Sequence, residues 1–230
     1  MIDNYFVDLD HTIWDFDANS KETLHELFLE KFGDEPEQFS KFLRIYRRIN
    51  DNLWEKYSKG KIHREALRLN RFELALGVCK LNTEYADFFS KEYLGRCPEK
   101  SNLFEGVLEE LDKLAKDHRL FLLTNGFKTT QERKVKASNL GKYFERMYTS
   151  EEAGCLKPNR AFFEHALKDS GANASRTLMV GDNYRSDYLG AKNAGIHAIH
   201  FTVTGKSSGK HYFSHWSEFE EKVIALKKHI

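Results

Sequence analysis

Tyr5-Phe6-Val7 is an aromatic and β-branched run that stops abruptly at Asp8-Leu9-Asp10-His11-Thr12. A short apolar run cut off by polar residues reads as a buried strand and its exit loop. The pattern recurs along the chain. Leu120-Phe121-Leu122-Leu123 ends in Thr124-Asn125-Gly126, and Leu178-Met179-Val180 ends in Gly181-Asp182. A weaker strand near 146–149 leads into Gly154-Cys155-Leu156-Lys157-Pro158, and Ala198-Ile199-His200-Phe201 forms a last apolar run. Helical stripes fall between them, near 105–116, 129–139, 160–168, 186–194 and 217–228. Strand and helix in alternation specify an α/β fold: a Rossmann-like three-layer core with a mostly parallel sheet.

The spacing of the strand ends adds a second constraint. Adjacent βαβ units need about 30 residues. Thr124 to Lys157 spans 33 positions and Lys157 to Asp182 spans 25, but Asp8 to Thr124 spans 116. The surplus has a different texture. Leu24, Leu27, Phe28 and Phe32 recur at helical spacing, as do Phe39, Phe42, Leu43 and Tyr46, then Ile49, Leu53 and Tyr57, then Tyr85, Phe88, Phe89 and Tyr93. Gly33, Gly60 and Gly77 lie between stripes. Four or five helices and no strand are expected there, with the aromatics as inter-helix core. The division is therefore residues 1–15 and 98–230 as a Rossmann-like catalytic core, and 16–97 as an inserted all-α helical-bundle cap. A length of 230 residues agrees, at about one and a half typical domains.

Composition narrows the partners. With 36 Lys+Arg against 35 Asp+Glu the net charge is +1, so no global field recruits a nucleic acid polymer or an anionic membrane. No run of about 18 apolar residues exists to span a bilayer, and the acidic start MIDNYFVDLD does not resemble a signal peptide. Cys79, Cys97 and Cys155 are odd in number and far apart, and read as reduced thiols of a cytoplasmic protein. A small molecule is the partner expected; the oligomeric state is left open.

In an open parallel sheet, ligands bind outside the carboxyl ends of the strands. Asp8, Asp10, Asp182 and Asp187 would meet there. Clustered carboxylates repel unless a cation joins them, and an all-oxygen donor set selects a hard ion such as Mg²⁺. Mg²⁺ together with Lys157 suits a phosphoryl group. Asp8 then suits a nucleophile, forming an aspartyl-phosphate. Asp10, two residues on, suits the acid that protonates the leaving oxygen and later activates water. Thr124 and Asn125 offer hydroxyl and backbone donors to the phosphoryl group. Each short motif alone is weak, since DxD, TNG and GD commonly serve turns and caps; their shared place at strand ends makes them a set. Gly205-Lys206-Ser207 is not a phosphate loop, because His200 stands where the first glycine belongs. His197, His200, His211 and His215 are read as solvated or core histidines.

FVDLDHT (residues 6–12), LLTNG (122–126), Lys157-Pro158 and GDNYRSD (181–187) resemble the four ordered motifs of the haloacid-dehalogenase-like hydrolase superfamily. The likeness runs through Gly195, and the helical insert is similar to the cap of that superfamily's first subclass. The resemblance implies Asp8 as nucleophile and carboxylate ligand of Mg²⁺. It implies Asp10 as acid/base that also binds the metal through its main-chain carbonyl. Thr124 and Lys157 would hold the phosphoryl group. Asp182 would serve as direct metal ligand with Asp187 supporting. An acid at position 10 favours phosphate esters over halides, because a halide leaving group needs no proton. Asp15-Phe16, the aromatic-rich cap and NGFKTTQERK (125–134) look like the pyrimidine 5′-nucleotidase branch. There Phe16, Trp14 or a cap aromatic would stack on a base. The implied function is a Mg²⁺-dependent phosphatase of small phosphomonoesters, with a 5′-nucleotidase as the finer form. A sugar phosphomutase, a phosphoglycolate-type phosphatase and a non-enzymatic phosphometabolite sensor stand as alternatives.

Overall fold

A computed structural model describes residues 1–228. The chain forms two compact units, one made of Met1–Phe16 and the chain from Ser101 on, the other of Asp17–Lys100.

The first unit is built on β1 (Asn4–Val7), β2 (Arg119–Thr124), β3 (Arg146–Thr149), β4 (Thr177–Gly181), β5 (His197–Phe201) and β6 (Tyr212–Phe213). The sheet order is β3-β2-β1-β4-β5-β6, and every pairing is parallel. It is thus wholly rather than mostly parallel. β6, only two residues long, carries no sequence pattern long enough to announce a strand. All four residues of β1 are buried, as a central parallel strand covered on both faces requires. Its side chains divide between those faces. Phe6 meets Phe121 edge-on at 5.7 Å, over a layer that includes Phe162, Phe163, Met179, Tyr188 and Ala191. Tyr5 points the other way, with its ring 6.1 Å from Phe219.

The second unit is helical, as its periodicity specifies. The unit boundary falls within α1 (Phe16–Phe32), which is followed by α2 (Pro36–Ser58), α3 (Arg64–Cys79) and α4 (Ala86–Arg96). Pro36 opens α2, where its missing N–H costs nothing. The aromatics form its core: Phe42 lies 5.7 Å from both Phe28 and Phe89, and Tyr46 stacks on Phe72 at 5.1 Å. A buried Arg71 guanidinium covers the Tyr93 ring at 4.7 Å and donates to Asn50 Oδ1 at 3.4 Å.

The first unit then continues with α5 (Val107–Asp117), α6 (Lys128–Ala137), α7 (Ser150–Ala153), α8 (Arg160–Ser170), α9 (Gly190–Asn193) and α10 (Phe219–Lys227). The expected helix near 186–194 differs in form: a wide π-turn, Tyr184–Leu189, precedes the short α9. Asn183 fixes its early start: its side-chain oxygen accepts from Arg185 N and Ser186 N at 3.1 and 2.9 Å. No helix among the described residues is long and apolar enough to cross a membrane.

Strand order decides where chemistry can occur. The chain leaves β1 toward β2 and β3 on one side and toward β4, β5 and β6 on the other, so β1 is the topological switch point. Val7 is level with Leu122 and Val180, which puts Asp8 beside the last residues of β2 and β4. Gly190 lets α9 approach α8 closely: a Cβ there would meet the Phe163 ring at 2.8 Å and the Pro158 Cα at 3.0 Å. Gly190→Ala is expected to destabilise the protein by about 1–3 kcal/mol through overpacking, read as a lowered midpoint in chemical denaturation.

Candidate active site

Asp8 is the first residue past β1 and is buried. Its main-chain N–H donates to Val180 O at 2.9 Å, which extends the β1–β4 ladder by one bond and fixes where the carboxylate points. Lys157 Nζ donates to Asp8 Oδ1 at 2.7 Å. The same ammonium meets Asp187 Oδ1 at 2.7 Å and Leu123 O at 2.6 Å. Three acceptors saturate its three hydrogens.

Lys157 sits on a loop, so its position needs an anchor, and Asn125 supplies one. Its Nδ2 donates to Lys157 O at 3.0 Å and its Oδ1 accepts from Lys157 N at 2.8 Å. Its side-chain amide is thus committed to the Lys157 main chain. Asp187 is equally fixed. Its Oδ2 accepts from Asn183 N at 3.0 Å. A Cβ on Gly181 would lie 2.5 Å from that oxygen, so only glycine admits Asp187 at the end of β4.

Asp182 stands across from Asp8. Thr12 Oγ1 lies 3.2 Å from Asp8 Oδ2 and 3.4 Å from Asp182 Oδ1, and accepts from Asp182 N at 3.0 Å. His200 is buried and its Nε2 is 2.6 Å from Asp182 O, with Nδ1 2.5 Å from Ser207 Oγ. It is a core histidine, but one that holds the loop carrying Asp182. Carboxylate oxygens of Asp8, Asp182 and Asp187 can all lie within 4.8 Å of one another.

The electrostatics of this group are unbalanced. Burial, above all, raises the Asp8 carboxyl from 3.8 to about 7, with Lys157 pulling it down and Asp187 pushing it up. Burial and the neighbouring Asp8 and Asp187 raise Asp182 well above the usual range. Burial alone would lower the Lys157 ammonium, but Asp187 and Asp8 outweigh it and raise it. One lysine therefore faces three enclosed carboxyls. A hard cation accepting oxygen ligands would remove that imbalance, and the donor set fits one.

Asp10 faces elsewhere. Its Oδ1 takes Lys134 Nζ at 2.6 Å and its Oδ2 takes Gln131 Nε2 at 2.8 Å, so its carboxylate is not part of the acidic trio. Thr124, the last residue of β2, is buried. Its Oγ1 accepts from Gly126 N at 3.0 Å and from Gln131 Nε2 at 2.7 Å. With both lone pairs used, its hydrogen must be donated elsewhere. Thr12, Gln131 and Lys134 received no role in the sequence reading. The only signal was their presence inside FVDLDHT and NGFKTTQERK. Trp14 corrects an expectation: it is fully buried, with Lys134 Nζ 4.2 Å from its ring centroid, and cannot stack on a ligand. Phe16 is half-buried, with its ring 4.7 Å from that of His11.

A family model for haloacid dehalogenase-like hydrolases matches residues 2–195. The chain belongs to that family. Among curated relatives it is 32% identical over 193 residues to the pyrimidine 5′-nucleotidase YjjG of Escherichia coli, covering 83% of this chain and 82% of that protein. It is 29% identical over 194 residues to the pyrimidine 5′-nucleotidase PynA of Streptococcus pneumoniae, covering 84% of this chain and 80% of that protein. Among solved structures, the putative HAD-hydrolase YfnB of Bacillus subtilis, bound to magnesium, superposes with a TM-score of 0.85 at 23% identity. That superposition covers 97% of this chain and 99% of the other, and it shows a shared fold. Membership makes the protein a hydrolase, and the resemblance drawn from its four motifs holds.

The shift on Asp8 has a sign that can be checked. A carboxyl raised by folding binds its proton more tightly in the folded chain, so its contribution is present at low pH and lost as pH rises from 3.8 through about 7. With a chelator present, stability from this group is expected to fall across that window. Denaturation midpoints measured on either side of it test this.

Proposed function

We propose that the protein is a Mg²⁺-dependent phosphatase that hydrolyses small phosphomonoesters through an aspartyl-phosphate on Asp8, and that its substrates are nucleoside monophosphates. The observation that carries this reading is the buried Asp8 carboxylate, oriented by Lys157, with a second acid, Asp10, two residues on and outside the metal-binding trio. A nucleophile alone would serve a halide; an alkoxide leaving group needs a proton donor as well. The two pyrimidine 5′-nucleotidases among the relatives support the nucleotide class.

In this reading residues 1–15 and 98–230 are the catalytic core and 16–97 the cap. An Asp8 oxygen attacks phosphorus, the bond to the ester oxygen breaks, and the departing oxygen takes its proton from Asp10. Asp10, now ionised, accepts a proton from a water whose oxygen attacks the aspartyl-phosphate. Phosphate leaves, and Asp8 recovers its carboxylate. Thr124 and Lys157 hold the phosphoryl oxygens, and Asn125 keeps Lys157 in place. Mg²⁺, held by carboxylates of Asp8 and Asp182 and the main-chain carbonyl of Asp10, with Asp187 supporting, would neutralise charge on those oxygens. Phe16 or an aromatic ring of the cap would meet a base. The protein acts in the cytoplasm, where Cys79, Cys97 and Cys155, none of them in a disulfide, stay reduced.

Phosphate release should be measured over pyrimidine and purine nucleoside monophosphates, sugar phosphates and phosphoglycolate. Turnover is expected with Mg²⁺, greatest on a nucleoside monophosphate, and is expected to vanish with chelator. Asp8→Asn should abolish it, by at least about 10³-fold, while leaving the circular dichroism spectrum unchanged. An active Asp8→Asn protein, or release that ignores chelator, contradicts the proposal. Transfer of phosphate within a sugar phosphate without release would favour a mutase instead.

A further inference from the structure

The geometry points to Gln131 and Lys134 of α6 as positioning residues that clamp Asp10 for proton transfer to the leaving group. This inference rests on the acid/base role proposed above for Asp10.

Three observations carry it. The first is that both oxygens of Asp10 are held by one helix: Oδ2 by Gln131 Nε2 at 2.8 Å and Oδ1 by Lys134 Nζ at 2.6 Å. Two donors on opposite oxygens fix the plane of the carboxyl group, whereas a single donor leaves it free to rotate. Each oxygen still keeps a lone pair for the transferred proton.

The second is that the clamp is itself rigid. Gln131 and Lys134 are both buried, at 1% and 4% exposure. Gln131 Nε2 donates its other hydrogen to Thr124 Oγ1 at 2.7 Å, so the amide bridges the end of β2 and the Asp10 loop. Gly126 has no side chain to obstruct it: a Cβ there would lie 2.4 Å from Gln131 Nε2. Lys134 Nζ is fixed by the Trp14 ring beneath it, at 4.2 Å from the centroid. Trp14 is tied in turn to the Asp10 loop by main-chain bonds, Trp14 N to Leu9 O at 2.9 Å and His11 N to Trp14 O at 3.0 Å.

The third is that a purely structural role explains this arrangement poorly. Gln131 Oε1 is buried with no hydrogen-bond partner among the described residues, a cost an apolar side chain of similar length would avoid. The amide is retained for what its nitrogen does, and both bonds made by that nitrogen end on residues proposed to act in the reaction.

The leaving group provides the test in the step that forms the aspartyl-phosphate, because there only a poor one needs a proton from Asp10; kcat/KM reads that step, whereas the attack of water is common to all esters. Gln131→Met keeps the length of the side chain and removes both donors; Lys134→Met removes the other. Each is assayed with an alkyl phosphate, whose alkoxide must be protonated, and with 4-nitrophenyl phosphate, whose phenolate leaves unaided. Melting midpoints establish that each variant is folded. Misplacing a catalytic group by about 1 Å costs on the order of 10²-fold. The expected result is a loss of kcat/KM of about 10- to 100-fold on the alkyl ester, at least about tenfold greater than on the aryl ester. Equal losses of kcat/KM on the two esters, or no loss, in a folded variant overturn the clamp. Asp10→Asn serves as the reference. If it shows the selective loss and neither methionine variant does, only the clamp fails. If Asp10→Asn lacks the selectivity, the acid/base assignment fails with it.

Discussion

The buried ammonium of Lys157 is the interaction on which the arrangement of this site depends. It lies between Asp8, Asp187 and the carbonyl of Leu123, and each of these belongs to a different part of the chain. Asp8 follows β1, Leu123 lies in β2, and Asp187 lies in the turn after β4. Removing one partner of a buried ion pair typically costs about 3–5 kcal/mol, because the other charge stays enclosed. That penalty makes the arrangement all-or-none: any displacement of one strand end exposes the others to it. The lysine is in turn held by its main chain, through Asn125, rather than by its own flexible side chain.

The same cluster explains why the site is electrostatically incomplete. Three carboxyls share one ammonium, which contacts Asp8 and Asp187, and burial raises two of the three, Asp8 and Asp182. A fold selected only for stability would place apolar residues here, since enclosed charges seldom repay their desolvation. The surplus of acid makes sense where a divalent cation and a phosphoryl dianion arrive together. The cation then offsets the carboxylates, and the phosphoryl group offsets the cation and the lysine. Gly181 shows how closely the chain is adapted to this crowding, because Asp187 occupies the space a Cβ would need.

Much of this was readable in the sequence, and the boundary of what was readable is physical. Strand ends were legible because a buried parallel strand must be apolar on both faces, so its exit into polar loop is abrupt; Val7-Asp8 and Val180-Gly181-Asp182 show it. The insert was legible from a gap too long for one crossover. Side-chain partnership was not. Gln131 and Lys134 carry no pattern that distinguishes them from a solvated helical face, and only the packing of α6 beside the Asp10 loop turns them inward. The hold of the Asn125 side chain on the Lys157 main chain is equally hidden, because a sequence shows which groups can donate and not which acceptor is nearest. Trp14 was read as an available ring, because local sequence carries no sign of the isolated bridges to Asp10 and Leu103 that bury it. The early π-turn at Tyr184 escaped notice for a similar reason, since a wide turn shares its residues with an ordinary helix.

The place of the insertion has a consequence for how such a chain can change. Residues 17–100 interrupt the connection between β1 and β2, yet those strands remain direct neighbours with the register of an uninterrupted pair. Loop-closure entropy grows only with the logarithm of length, so lengthening this connection adds little to the cost of pairing the two strands. Asp8, Asp10, Thr124, Lys157, Asp182 and Asp187 all belong to the unit that contains the sheet. The helical unit contributes none of them, and its interior is filled with its own aromatic rings. Substitutions on the surface of the helical unit are therefore free of the constraints that bind the carboxylates to the lysine. A fold divided in this way can keep the carboxylate–lysine arrangement fixed while the surface of the helical unit varies.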